Sequence, residues 1–336
     1  MNKNVAAAVA ITAVIALAGL GVWSFLDFQK STVKPEESIT VAYSPYEASA
    51  LFWLAVDQRF FEENGLNLTL RRYDSGAASL DGVINGEADI SVGASEFPFI
   101  RKAFQNARVR AVGNIDKGDF IYIVARKDRV GNVSDLKGKR IGTAIGTAAE
   151  FHLGRFLTLH GITMQDITLV DIKTPEGWVN AVANGSIDAI STAQPYANAA
   201  RDRLGDNAVF WPAQSSQPVF SLVISSDDWI TEHPELVDRF LKSLSEAEEY
   251  VSTHPAESKA VVQKRLNLSA GYMDTVWQQN QFTLSLDQSL VTAMEDEGRW
   301  MIANNLTTEK AIPNFRDYIY TKGLMEVNPE AVNIIG

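Results

Sequence analysis

The side chains best able to do chemistry in this 336-residue chain are carboxylates, hydroxyls and amides set in short loops. Glu47, Asp74, Glu96, Asp119, Glu150 and Glu176 stand in or beside such loops, against only Lys117 and Lys173. Ser75, Ser95, Thr147 and Gln194 add neutral hydrogen-bonding groups, while Tyr46, Phe151 and Tyr196 add rings. Hydroxyls and exposed backbone N–H groups suit the recognition of a small polar solute. An anion would call for Arg or Lys alongside them, so the charge pattern favours a neutral or cationic one. Aromatic rings near the loops can stack on a heterocycle or a cation. Phe52 and Trp53, on an all-apolar helix, read instead as core.

Covalent chemistry finds little support. No phosphate-binding loop, dinucleotide fingerprint or HExxH pattern is present. Gly93-Ala94-Ser95 begins a nucleophile elbow, but Phe97 stands where its second glycine belongs. The four histidines, His152, His160, His233 and His254, lack metal-ligand spacing, and zero cysteines exclude disulfides, thiolate metal sites and a Cys nucleophile. The chain is therefore expected to bind without catalysing, with no cofactor and no metal.

The loops need positioning, and the elements that do so occur twice. An alternating strand at residues 39–43 leads to an apolar helix at residues 50–61 that Asn64-Gly65 stops. A strand at 66–70, a helix at about 77–84, a stop at Asn85-Gly86 and a strand at 88–92 complete the first copy. The second has a strand at 140–143, a helix at 151–161, a strand at 167–170, a helix at 175–183, a stop at Asn184-Gly185 and a strand at 187–190. Gly65 to Gly86 spans 21 residues and Gly161 to Gly185 spans 24. Strands alternating with helices predict parallel βαβ units with right-handed crossovers. The loops at 44–47, 73–76, 93–96, 146–150, 173–176 and 192–196 then fall at the carboxyl ends of strands, beside helix N-termini, where open sheets bind ligands. Ser44-x-x-Glu47, with Pro45 following Ser44, and Thr147-x-x-Glu150 also read as capping boxes. Glu47 and Glu150 are thus open to either role, cap or ligand contact.

The predicted fold class is α/β and bilobal, with two βαβ lobes joined by a hinge and C-terminal helices packed on the first lobe. Residues 39–124 begin the first lobe, 125–218 form the second, and 219–336 return to the first, with chain crossings near residues 121–126 and 219–225. A chain of this length exceeds the ~250–300 residues at which a single core stops growing. The net charge of −11 argues against nucleic acid as a partner. Residues 1–28 read as an N-terminal membrane anchor or signal segment and 29–38 as a linker. Residues 5–26 carry no charge, and as a helix would reach roughly 33 Å, enough for a bilayer core. Ala16-Leu17-Ala18 offers a small-x-small cleavage site, yet the apolar run continues beyond it to Trp23 and Leu26, which favours an uncleaved anchor. Either way the remainder is exported.

The segments ITVAY (39–43), ALFWLAVDQRFFEENGLNLTL (50–70), NGEADISV (85–92), DLKGKRIGTAIGTAAEFHLGRFLTLHGI (135–162), NGSIDAISTAQPY (184–196) and HPELVDRFLKSL (233–244), in this order, resemble the nitrate/sulfonate/taurine-type periplasmic binding proteins of ABC transporters. Binders of thiamine-pyrimidine precursors are relatives of that family. The resemblance implies the type II-like periplasmic-binding-protein fold, a monomer with its ligand in the cleft, and delivery to an ABC permease with a cytoplasmic ATPase. Ligand contacts carry over to Glu47, Ser75, Ser95, Thr147, Glu150 and Gln194. Two departures stand out: the lipidation cysteine is missing, and the segment 147–151 (TAAEF) differs from the sulfonate and taurine patterns. A ligand sensor for a signalling partner is the alternative function. A thiamine-precursor-type enzyme on the same fold is a third, opposed by the missing cysteines and the export segment.

Overall fold

A computed structural model describes residues 36–335; the anchor or signal reading of residues 1–28 and the linker up to residue 35 lie outside the described residues. Among those described, no helix is long and apolar enough to cross a membrane. Strands β1 (Glu37–Tyr43), β2 (Leu66–Arg72), β3 (Ile90–Ser95) and β4 (Val109–Gly118) come first in the chain. They are followed by β5 (Ile121–Arg126), β6 (Arg140–Thr143), β7 (Thr168–Asp171), β8 (Ala189–Ala193) and β9 (Ala208–Pro212). Finally β10 (Val219–Ser226) and β11 (Asn280–Gln281) return to the first sheet, whose order is β11-β4-β10-β3-β1-β2; the second sheet reads β7-β6-β8-β5-β9.

Each copy of the repeat yields a parallel triad. Val41 of β1 lies opposite Leu70 of β2 and Ile90 of β3, and Ile141 of β6 lies opposite Leu169 of β7 and Ala189 of β8. The parallel pairing expected of the repeat stops there. β10 pairs antiparallel with β3 and β4, and β5 pairs antiparallel with β8 and β9. These added strands come from the segments that connect the two sheets, so each enters its new sheet from the opposite end.

Helices α1 (Ala50–Asp57), α2 (Phe60–Glu63), α3 (Gly76–Ile84) and α4 (Glu96–Phe104) serve the first sheet. The single helix expected over 50–61 is broken where Arg59 takes a left-handed φ of 64°. The predicted stops hold, with Gly65, Gly86, Gly161 and Gly185 at φ of 71–77°, a region that glycine enters without a Cβ clash. Helices α5 (Ala148–Leu159), α6 (Pro175–Ala183) and α7 (Tyr196–Leu204) serve the second sheet. Helices α8 (Asp227–Glu232), α9 (Pro234–Thr253), α10 (Pro255–Leu266), α11 (Ala270–Val276) and α12 (Gln288–Ala303) complete the first lobe. α9 buries Leu236, Val237, Phe240, Leu241, Leu244 and Ala247, a helical stripe facing the core. Its Phe240 ring lies 4.8 Å from Phe61 and 6.4 Å from Phe52.

The chain crosses between the sheets at residues 119–120 and 213–218, and Gln214 ties the two crossings together. Its Oε1 accepts the Ile121 N–H at 2.8 Å, while its Nε2 donates to the carbonyls of Gly118 at 2.9 Å and Gln217 at 3.1 Å. Beside the crossings the lobes also share core. Phe97 of α4 stacks on Phe151 of α5, and Trp300 of α12 meets both edge-on, with centroids 5.4–5.9 Å apart.

Candidate ligand-binding cleft

Between the sheets, at the carboxyl ends of both parallel triads, lies a cavity of about 410 Å³. That size suits a small solute. The first lobe supplies Tyr46 and Glu47, which follow β1, the first turn of α3 with Ser75, and Gly93 and Ser95 from β3. The second supplies Thr147 at the start of α5, Trp178 one turn into α6, and Ser191 to Gln194 from β8. Phe120, Val219, Phe220 and Ser221 line it from the crossings.

Local sequence sets these positions. Ser75 caps α3, its Oγ accepting the Ala78 N–H at 3.2 Å. Gly76 brings the helix start against β3 so closely that an added Cβ would lie 2.6 Å from the Gly93 carbonyl oxygen. Thr174 caps α6 in the same way, accepting the Gly177 N–H at 3.3 Å.

The two expected capping boxes form differently. After Ser44 the chain starts a 3₁₀ turn only at Glu47, with Tyr46 at the cap position and no side-chain cap bond. Thr147 does stand at the N-cap of α5, but its hydroxyl donates to the Ala144 carbonyl at 2.8 Å. Glu150 reaches past Thr147 and accepts the Gly146 N–H at 2.7 Å. Complete boxes occur instead at Asn132/Asp135 and Thr163/Asp166, away from the cavity.

Among the residues singled out in the sequence, Tyr46, Glu47, Asp74, Ser75, Ser95, Thr147, Lys173 and Gln194 line the cavity. The others sit behind it or beside it. Glu96 is fully buried and accepts the Phe220 N–H at 2.9 Å. Asp119, at a crossing, accepts from Gln214 at 3.1 Å. Glu150 is turned to Gly146, Phe151 belongs to the shared aromatic core, and Tyr196 packs edge-on to Trp178 at 5.5 Å. Trp178, Phe120, Thr192 and Ser221 line the cavity without having been singled out. Trp178 was within reach of sequence reasoning, because it lies in the first turn after the Thr174-Pro175 helix start. The hydroxyls of Thr192 and Ser221 are buried and have no hydrogen-bond partner among the described residues.

Electrostatically the two walls differ. Lys173 is paired with Asp171, so the one lysine on the lining is already compensated. Glu47 is 3% exposed, and burial pushes its carboxyl above the usual range while the Tyr272 hydroxyl donates to it. Burial also pushes the Tyr46 and Tyr272 phenols up, so both remain neutral donors. His152, fully buried on α5 and off the lining, is held neutral by desolvation, its pKa lowered to about 3. Among the described residues no group of three His, Cys, Asp or Glu side chains is arranged to hold a metal ion. The cleft therefore offers hydroxyls, backbone N–H groups, a ring on either wall and a buried acid that desolvation holds above the usual carboxylate range.

The alkanesulfonate-binding protein SsuA of Xanthomonas axonopodis pv. citri superposes on this chain with a TM-score of 0.72. The match covers 90% of this chain and all of that one at 20% identity, so the fold is that of periplasmic binding proteins. A binding protein of Brucella abortus (strain 2308) is 25% identical over 247 residues, 70% of this chain and 74% of its own length. The taurine-binding periplasmic protein of Escherichia coli (strain K12) is 26% identical over 242 residues, 70% of this chain and 72% of its own. The model of the NMT1/THI5-like family matches residues 47–258, well over half the chain with most of the cleft inside it, and the chain belongs to that family.

Proposed function

We propose that this chain is an extracytoplasmic solute-binding protein that captures a small polar molecule between its lobes without converting it, and delivers it to an ABC permease. The observation that carries the reading is the cavity at the facing carboxyl ends of the two triads, lined by hydroxyls from both lobes. The relatives named as binding proteins support it. Tyr46, Glu47, Ser75, Ser95, Thr147 and Gln194 are the proposed contacts on the lining, with Glu96, Asp119, Glu150, Phe151 and Tyr196 supporting them from behind and beside. The solute is neutral or cationic, because the lining's lysine is already paired and its buried acid is not. Closure follows because a solute touching both walls binds the closed state more tightly than the open one. Residues 1–28 tether the protein, a monomer, to the outer face of the membrane.

A thermal-shift screen of the protein against amines, amino acids, sulfonates, nitrate and pyrimidines tests this. A solute at 100 times its Kd stabilises by about 2.7 kcal/mol. Stabilisation by one class and not the others is the expected result, and silence across the whole panel would remove the capture reading.

A further inference from the structure

One acid on the cavity wall and a second buried behind it have no ion-pair partner among the described residues. Glu47 lines the cavity, and the Tyr272 hydroxyl of α11 donates to its Oε1 at 2.5 Å. Asp116 stands on β4, which packs against the turn carrying Glu47, and lies opposite the cavity-lining Ser221 in the β4–β10 ladder. Asp116 is 0% exposed, and no side chain among the described residues hydrogen-bonds or ion-pairs with its carboxyl group. The titratable groups that act on the pair are phenols and acids, while the backbone of Gln281 and Lys117 favours the ionised form of Asp116. Tyr46, Tyr196 and Tyr272 surround Glu47, Asp74 and Glu176 act on the first two of these tyrosines, and Arg72 reaches only Tyr196. Tyr122 acts on Tyr272. Lys117, next to Asp116 in sequence, is paired with Asp287.

Other buried acids of the molecule lie off the cavity wall, although Glu96 Oε1 and Glu297 Oε2 also lack a hydrogen-bond partner among the described residues. Asp188 is paired with Arg129 and accepts the Arg140 N–H. Glu96 accepts the Phe220 N–H, and Glu297 accepts from the Gln217 side chain. Glu47 alone among these lies on the wall of the cavity, with Asp116 behind it. An isolated buried carboxylate costs several kcal/mol, so such a group stays protonated until a positive charge arrives. Desolvation does hold both Glu47 and Asp116 above the usual carboxylate range.

We propose that Glu47, backed by Asp116 and oriented by Tyr272, is the subsite for a positively charged nitrogen of the solute, an ammonium or amidinium, and that its capture releases a proton from the acid pair to solvent. This rests on the solute-binding reading and specifies its ligand class. Because the acids are protonated in the empty cleft and ionised in the filled one, binding tightens as pH rises. The limit is about tenfold per pH unit for one proton, levelling off above the empty-state pKa.

The test uses the full-length protein and matched probes that exchange a cationic nitrogen for a hydroxyl. The pairs are taurine and isethionate, benzylamine and benzyl alcohol, and 1,4-diaminobutane and 1,4-butanediol. Thermal shifts are read between about pH 5 and about pH 8 for the wild type, Glu47→Gln and Asp116→Asn. The expected result is that at least one amine stabilises the wild type, its hydroxyl analogue does so at least about tenfold more weakly, and the effect grows with pH. Glu47→Gln should lose that preference, and Asp116→Asn should flatten its pH dependence. Should the hydroxyl analogues, or a sulfonate or nitrate from the wider screen, stabilise wild type and Glu47→Gln alike, capture stands and the cation subsite falls. Silence of all six probes and of the wider screen overturns both. Infrared difference spectra of ligand-free wild type against Glu47→Gln give a readout independent of any ligand. Glu96 and Glu297 contribute equally to both proteins, so the wild-type-minus-variant difference must itself carry a protonated-carboxyl band, and a difference spectrum without one removes the proton release.

Discussion

The two copies of the strand–helix–strand unit end in the same glycine stops, yet they meet the cleft differently. In the first, α3 begins at Gly76 in backbone contact with β3, where an added Cβ would lie 2.6 Å from the Gly93 oxygen and 2.7 Å from the Ala94 Cα. In the second, α6 begins at Pro175, and its first turn sends Trp178 to the cavity wall. Close backbone approach leaves the first wall small polar groups and Glu47; the looser start in the second makes room for a ring. One repeated scaffold thus presents Tyr46 and small polar groups from the first copy and an indole from the second.

The sharpest way to break that comparison is to crowd the tight copy. Gly76→Val forces Cβ into backbone atoms that cannot rotate away, and should destabilise by ~3 kcal/mol. Pro175→Ala, at the same helix position of the other copy, should cost less than about 1 kcal/mol. Urea unfolding of the two variants measures both. Equal costs would mean that α3 moves away from β3 as easily as α6 stands off from β8.

Much of this arrangement is legible in the sequence, and the rest is hidden for identifiable reasons. Asn64-Gly65, Asn85-Gly86 and Asn184-Gly185 mark helix ends because a left-handed residue is a local requirement. The parallel triads follow from alternation. The antiparallel partners β10 and β5 do not, because direction in a sheet depends on where the chain enters it, and residue pattern carries no record of that. Within the cleft, loop positions follow from strand ends, but side-chain direction does not. Thr147 fits a capping box by type and spacing, yet its hydroxyl turns to Ala144 and leaves Gly146 to Glu150. Asp116 and Tyr272 escaped notice because only packing between distant segments brings them to Glu47.

On the aromatic side, Trp178→Ala should weaken capture of the solute by about 2 kcal/mol, near thirtyfold in Kd, as expected for a half-buried ring engaged by a ligand. Trp178 also donates from Nε1 to the Ile172 carbonyl at 2.6 Å, so stability must be followed in parallel. An unchanged Kd in a folded variant would leave the first copy as the sole determinant.

The buried acids give a comparison of their own. Burial pushes Glu96 up to about 7, and Glu297, facing Glu96, lies well above the usual carboxylate range. With folded values raised above the unfolded ones, the stabilising contribution is complete below about pH 4.5 and is lost as pH rises through 7. Stability should therefore fall between about pH 4.5 and about pH 7 by up to about 1.4 kcal/mol per pH unit for each carboxyl that the folded state keeps protonated. Glu297→Gln should flatten that decline in a melting series run without solute. A decline of the same slope in the variant would assign the titration to other groups.

The smallest effects separate stability from recognition. Ser75 and Thr174 cap the corresponding helices with nearly equal bonds, 3.2 Å and 3.3 Å, so each alanine variant should cost ~1 kcal/mol of stability. Only Ser75 lines the cavity. Glycine at a cap position costs a few tenths of a kcal/mol, so Ser75→Gly removes the hydroxyl while nearly sparing the helix. Its Kd should rise by the loss of one hydrogen bond, about 1 kcal/mol or fivefold, while Thr174→Gly binds like the wild type. If Ser75→Gly also binds like the wild type, the Ser75 hydroxyl is a cap alone. The first copy would then recognise its solute through Glu47 and the backbone N–H groups at the start of α3.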